Sequence, residues 1–257
     1  IKKNNPNFKV ILGNEIYLCR DGMNAQNFIK EEDRYFHFIL LAKDAIGHKA
    51  LRELSSIAWY NSYFDRGMER VPLLKTELAN IMSKYKGHVM GTTACMGGEL
   101  SKKLTAYHVA KESQNYDEAQ VYLQEAWNFI NFCIGVFGQD DFYIECAPST
   151  AEDQITINKY LMDTATHFQL KILPATDSHY LSKETRFAHK AYLNSKGGER
   201  EIDSFYEFAR LMDENEVREL LSYSFESKDI DSVLRASEDM RQKIEWYSLE
   251  RPQQIPV

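Results

Sequence analysis

Residues 170–183 read LKILPATDSHYLSK. The first part, LKILPATD at 170–177, is a short apolar run of strand type, and Asp177 and His179 stand two residues apart at its end. In extended chain, residues i and i+2 point to the same side. A carboxylate and an imidazole in that arrangement aim at one point, as a metal ion or a phosphate group requires. A D-x-H triplet is also short enough to arise in an ordinary turn, with the aspartate as a helix cap. Which reading holds depends on the company the triplet keeps.

Upstream of this stretch, strand-like and helix-like patterns alternate. FKVILGNEIYL (8–18) and RYFHFILLAK (34–43) read as strands. Residues 44–64 read as a helix with apolar residues at three- and four-residue spacings and Asp44 as N-cap. VPLLKTELANIMSKY (71–85) reads as a second helix with Pro72 in its first turn. GHVMGTTAC (87–95) is a strand, and 114–138 carries the strongest helical stripe, closed by Gly138. DDFYIEC (140–146) returns to strand, and 149–168 is a helix capped by Ser149 or Thr150. Beyond about residue 195 the strand signals fade, and 203–247 reads as amphipathic helix. Strands separated by helices, four or five times over, predict a parallel α/β domain, either a barrel or an open sheet. In such folds functional residues gather at the carboxyl ends of strands.

Bulk composition narrows the function. A chain of 257 residues fits one large α/β domain or two small ones. Hydrophobic content of 44% with 27% charged residues is ordinary for a globular protein and excludes a disordered chain. A net charge of -7 excludes a chain that grips nucleic acid by overall charge, so any such contact is local or passes through a metal. No stretch approaches the roughly 20 apolar residues of a membrane span. Cys19, Cys95, Cys133 and Cys146 lie far apart, which indicates neither a zinc ribbon nor a disulfide framework. The expected setting is a reducing cytoplasm. Ile1 at the start and the Pro-rich ERPQQIPV at 250–257 give the expectation that the chain is cut from something longer.

The strands also carry potential ligands. Glu15 lies in the first and His37 in the second, the third ends in Cys95, Glu145 lies in the fourth, and Asp177 with His179 closes the last. Carboxylates, imidazoles and a thiol together suit Zn²⁺, Mn²⁺ or Fe²⁺. Each has an ordinary reading as well: a solvated strand glutamate, a packed histidine, an inert buried cysteine. His48, His88, His108, His167 and His189 are read as structural.

Taken in order, ILGNEIYL, HFILLAKDAIGHKALRELSSIAW, GTTACMGGELSKKL, DDFYIEC and ILPATDSHYLSKETRFAHKAYL resemble the PHP (polymerase and histidinol phosphatase) domain of C-family bacterial replicative DNA polymerases. The family strings read much like L-G-x-E-x-Y, A-C-x-x-G-E, F-Y-x-E and A-T-N-D-x-H-Y-L, and DENEVREL at 213–220 matches the family's acidic helix. The resemblance implies a distorted (β/α)7 TIM-like barrel at 1–200, incomplete at its N-terminus, and a helical extension at 201–257 leading toward a polymerase core. It implies Glu15, His37, Cys95, Asp177 and His179 as ligands of a cluster of up to three divalent ions, with Asp177 and His179 also catalytic. Glu145 matches a family glutamate that is not a ligand. The chemistry implied is phosphoester hydrolysis of the 3′–5′ exonuclease type within the alpha subunit of DNA polymerase III, with Ser178 and Lys183 close enough to touch phosphate. Implied partners are the rest of the polymerase chain, primer-template DNA and a proofreading exonuclease subunit, without a membrane.

One departure stands out. The family's H-x-H pair and two further ligands precede L-G-x-E, whereas Glu15 here is near the start. The expectation is therefore incomplete metal binding, little nuclease activity and no polymerisation by this chain alone. The alternative is a structural module that braces the polymerase and docks an exonuclease. A free-standing small-molecule phosphatase is the third reading, disfavoured by the extension at 203–257.

Overall fold

A computed structural model describes residues 8–24, 26–28, 34–65, 67–195 and 206–250. The beginning of the lead-in (1–7) and the Pro-rich tail from 251 lie outside the described residues. The fold is α/β, and the chain forms two compact units, one of residues 1–92, 132–142 and 240–257, the other of 93–131 and 143–239.

The first unit contains β1 (Gly13–Cys19), β2 (Phe36–Ala42), α1 (Ala45–Tyr60), β3 (Tyr63–Asp65), β4 (Met68–Arg70), β5 (Pro72–Leu74), α2 (Lys75–Lys84) and β6 (Val89–Thr92). Its sheet order is β5-β1-β2-β6. β1 and β5 are parallel, but β2 runs antiparallel to both β1 and β6. The all-parallel expectation fails at β2. No described helix lies between β1 and β2, and a helical crossover is what a parallel pairing requires. Phe38, Phe137 and Phe142 stack with ring centroids 5.8–6.4 Å apart and form the aromatic centre of this unit's core.

α1 begins as its sequence predicts. Asp44 accepts the Gly47 N–H at 2.8 Å, and its other oxygen meets His88 Nδ1 at 2.6 Å. A Cβ on Gly47 would stand 2.0 Å from the His88 carbonyl oxygen, so only glycine lets helix and strand come this close. Pro72, by contrast, is not in a helix. Pro72–Leu74 pairs with Tyr17–Cys19 as an edge strand, where a missing N–H is tolerated, and α2 starts three residues later with Glu77 accepting the Leu74 N–H. The β3–β4 hairpin has no counterpart in the sequence reading, because three-residue strands carry no periodicity.

The second unit holds α3 (Glu99–Glu112), most of α4 (Tyr116–Phe137), β7 (Phe142–Cys146) after its first residue, α5 (Glu152–Phe168) and β8 (Lys171–Pro174). A 3-10 turn at Lys183–Thr185, α6 (Arg186–Asn194), α7 (Glu214–Leu221) and most of α8 (Ser227–Gln242) complete it. β7 and β8 are parallel, with α5 as their crossover. Both strands are mostly buried apolar runs, as strands covered on two faces should be. The N-cap of α5 is Ala151 rather than Ser149 or Thr150; Ser149 instead accepts the Ala151 N–H through its hydroxyl at 3.0 Å. The helical reading of 203–247 holds for α7 and α8, while the stretch around Ala209–Leu211 is extended. The His179 N–H donates to the Ala209 carbonyl at 2.8 Å and the Leu211 N–H to the Tyr180 carbonyl at 3.2 Å. Among the described residues no helix is long and apolar enough to cross a membrane.

Candidate metal centre

In β1 the side chains of Ile16 and Leu18 are buried while Gly13, Glu15 and Tyr17 face outward. Strand alternation thus sets Glu15 on the open face. In β2 the register places His37 opposite Tyr17 and Ile39 opposite Glu15. Glu15 and His37 are therefore diagonal neighbours on one face. Glu15 Oε1 meets His37 Nδ1 at 2.8 Å, with the two side chains 46% and 34% exposed. His37 stands at the start of its strand rather than at its end. Because β2 is antiparallel, that start lies beside the carboxyl-terminal half of β1, and the two groups still come together.

In the second unit Cys95 sits in the turn between β6 and α3. The Gly98 N–H closes that turn on the Cys95 carbonyl at 2.9 Å, and a Cβ on Gly98 would lie 2.1 Å from the Thr93 carbonyl oxygen. The Gly97 N–H points at Cys95 Sγ from 3.4 Å. Asp177 follows β8 with φ of 43°, in the left-handed region that aspartate tolerates better than most residues. His179 Nε2 stands 3.5 Å from Asp177 Oδ1. Cys95 and Asp177 line one cavity of about 510 Å³, walled by Met96, Pro148 and Phe208 and by the first turn of α5. The rim of this cavity is pinned by fully buried Asn158, whose amide accepts the Ala147 N–H at 3.2 Å and donates to the Ala147 carbonyl at 2.9 Å.

The remaining candidates fall elsewhere. The backbone N–H of Glu145 donates to Thr93 Oγ1 at 2.9 Å. Ser178 shares a hydrogen bond with Thr176, and Lys183 lines a separate cavity of about 270 Å³ together with Arg186 and Arg210. His48, His108 and His167 pack against Tyr247, Tyr160 and Trp127, as structural histidines do. His189 is different. Its ring lies 5.3 Å from that of His179, and Tyr206 packs against both rings at 5.3 and 4.8 Å. Sequence reasoning missed this brace, because a histidine on a helix gives no sign of which face will meet the site.

Hard oxygen, imidazole nitrogen and thiol sulfur are the donors that Zn²⁺, Mn²⁺ and Fe²⁺ share. The 2.8 Å carboxylate contact fixes the His37 ring and strengthens it as a donor toward a cation. The residues present fit a divalent ion.

The sequence profile of the PHP domain matches residues 1–149. The chain belongs to the PHP domain family. Over 254 residues it is 40% identical to the probable DNA polymerase YorL of Bacillus subtilis strain 168 and to the DNA-directed DNA polymerase of Bacillus phage SPbeta. Each alignment covers 97% of this chain and 19% of the relative. The DNA polymerase III alpha subunit of Borreliella burgdorferi is 28% identical over 180 residues, covering 68% of this chain and 13% of that protein. This PHP chain thus spans about a fifth of the length of the first two relatives.

Proposed function

We propose that this chain is the PHP portion of a replicative DNA polymerase of the polymerase III alpha type. In this reading it carries a divalent-metal phosphoesterase site of the 3′–5′ exonuclease kind, with Glu15, His37, Cys95, Asp177 and His179 as ligands. The observation that carries the reading is that Glu15–His37 at 2.8 Å and Asp177–His179 at 3.5 Å are carboxylate–imidazole pairs whose carboxylates stay open to a cation, 46% and 32% exposed. Relatives whose names are those of DNA polymerases, aligned over nearly the whole chain, support the replicative setting. A (β/α)7 barrel up to about residue 200, a helical extension beyond it and a cytoplasmic location belong to the same proposal. So do the rest of the polymerase, primer-template DNA and an exonuclease subunit as partners.

Bound divalent ions supply a water of lowered pKa and offset the charge of a phosphate. The chain's own groups do the rest. Glu15 orients His37, the Gly97 N–H positions the Cys95 sulfur, and His179 is held by the His189 and Tyr206 rings. Asp177 and Cys95 look into a cavity within the few-hundred-Å³ range of small-ligand pockets.

Elemental analysis after dialysis tests the assignment, together with hydrolysis of end-labelled single-stranded DNA in the polymerase that carries this domain. Asp177→Asn and His179→Ala are expected to lower both bound metal and hydrolysis by about tenfold or more. Unchanged metal content in these variants would sink the ligand assignment. Unchanged hydrolysis with metal lost would leave the domain a metal-stabilised structural module.

A further inference from the structure

We propose that Tyr17 and Tyr35, with Arg70 packed on the latter, form a base-stacking platform for the end of a single-stranded nucleic acid beside the Glu15–His37 pair. β1 does not stop at Glu15. It runs on to Cys19, and the next residue on its open face is Tyr17, 39% exposed in a strand whose other face is buried. The Tyr17 ring lies 5.5 Å from the His37 ring and 5.9 Å from that of Tyr35, which it meets edge to face. Tyr35 is stacked on Phe28 at 5.8 Å, and the Arg70 guanidinium carbon stands 5.0 Å from its centroid. A hydrogen bond between the Tyr35 and Tyr63 hydroxyls ties this row to the β3–β4 hairpin. The rings are thus held by their neighbours before any ligand arrives.

A row of rings ending at a solvent-facing tyrosine, with a guanidinium on the inner ring, is the combination that takes nucleobases without regard to sequence. Bases inside a duplex are already stacked on one another, so such a platform selects an unpaired end. The spacing also suits a nucleotide. Glu15 and Tyr17 stand two positions apart, about 7 Å along the strand. That distance is comparable with the reach from a base to its own phosphate. Arg70, whose Nε lies 3.9 Å from Asp65 Oδ2, packs its guanidinium on the Tyr35 ring, so the platform acts by stacking and not by net charge. The proposal rests on the phosphoester reading of the Glu15–His37 pair for its purpose, but stacking needs no metal and is measured without one.

The test is fluorescence anisotropy with the full chain in EDTA, using a fluorescein-labelled thymidylate dodecamer and an abasic dodecamer of equal charge. The thymidylate strand is expected to bind at least about tenfold tighter than the abasic one. Tyr17→Leu, which keeps apolar bulk without a ring, is expected to weaken thymidylate binding by about five- to hundredfold, while Tyr17→Phe stays within about twofold. Equal affinity for the two dodecamers, no binding of either, or leucine and phenylalanine variants that bind alike would overturn the platform. Metal content of the unaltered chain, measured on the same preparation after dialysis against divalent metal and before EDTA is added, separates the two proposals. Ions bound without the oligonucleotide overturn the platform alone. Oligonucleotide bound without ions removes the phosphoester reading and leaves the platform standing.

Discussion

Two carboxylate–imidazole pairs bracket β2, and they have opposite fates. Before its middle, Glu15 and His37 meet at 2.8 Å on the open face of the sheet. Beyond its end, Asp44 and His88 meet at 2.6 Å, and there the carboxylate also caps a helix. Asp44 also caps α1 through Gly47, the His88 carbonyl accepts the Lys43 N–H at 2.9 Å, and the Asp44 side chain is only 17% exposed. Proximity of an acid to a histidine is therefore no sign of a metal site by itself. What separates the two pairs is how open the carboxylate is, 46% exposed for Glu15 against 17% for Asp44.

The largest effect that would sharpen this contrast is steric. Gly47→Val puts side-chain carbon where the His88 carbonyl oxygen stands, 2.0 Å from an ideal Cβ, and is expected to cost about 3 kcal/mol or to prevent folding. Urea unfolding measures it, and a loss below about 1 kcal/mol would mean that helix and strand can part at little cost. Next in size is Asp44→Ala, which removes a helix cap and leaves His88 without its carboxylate, for an expected loss of about 1–2 kcal/mol. Glu15→Gln should change the same unfolding curve by less than about 0.5 kcal/mol while lowering bound divalent metal. Equal stability losses in the two variants would erase the distinction between the pairs.

A smaller effect lies in acid. Burial pushes the Asp44 carboxyl up, but the Gly47 N–H and then His88 more than offset this, and the net shift is downward from 3.8. A carboxyl with a depressed folded pKa contributes stability that is present above 3.8 and lost as the pH falls through the folded value. Between about pH 5 and about pH 3 the urea midpoint of the unaltered chain should therefore fall more steeply than that of Asp44→Asn. Parallel slopes would contradict the capping geometry.

The smallest effect concerns the thiols, where an open and a committed group can again be compared. Cys19, Cys133 and Cys146 are buried and Cys95 is half-exposed. Burial, and then Glu145, push the Cys146 thiol far up, so it stays protonated and inert. A thiol reagent in metal-free buffer is expected to modify Cys95 first, and added Zn²⁺ to slow that reaction. Modification of Cys146 before Cys95, read by peptide mass, would reverse the assignment.

Much of the layout was legible because apolar runs and helical stripes are long. β1, β2, β6, β7 and β8 stand where the sequence reading puts strands, and Asp44 caps the helix it was expected to cap. Strand direction left no trace, since alternation reads the same along β2 in either direction. Pro72 misled because the first turn of a helix and the edge of a sheet tolerate proline for the same reason, a donor that is not needed. Within the candidate site, the D-x-H spacing drew attention to Asp177 and His179, whose side chains stand 3.5 Å apart, and Glu15 drew attention as a carboxylate in the first strand. The braces were hidden. His189 and Tyr206 reach His179 across a break in sequence that no local pattern spans.

The position of Pro72 bears on how the molecule behaves in a crowded solution. β5 is the outer strand of the first unit's sheet, and outer strands recruit strands from other molecules through their unpaired amides. Here that strand is three residues long and begins with a residue that has no amide hydrogen to offer. The same proline that obscured the strand in the sequence also guards it against growth into a larger sheet. Pro72→Thr would test that guard by light scattering at high concentration, where the altered edge should assemble and the natural one should not.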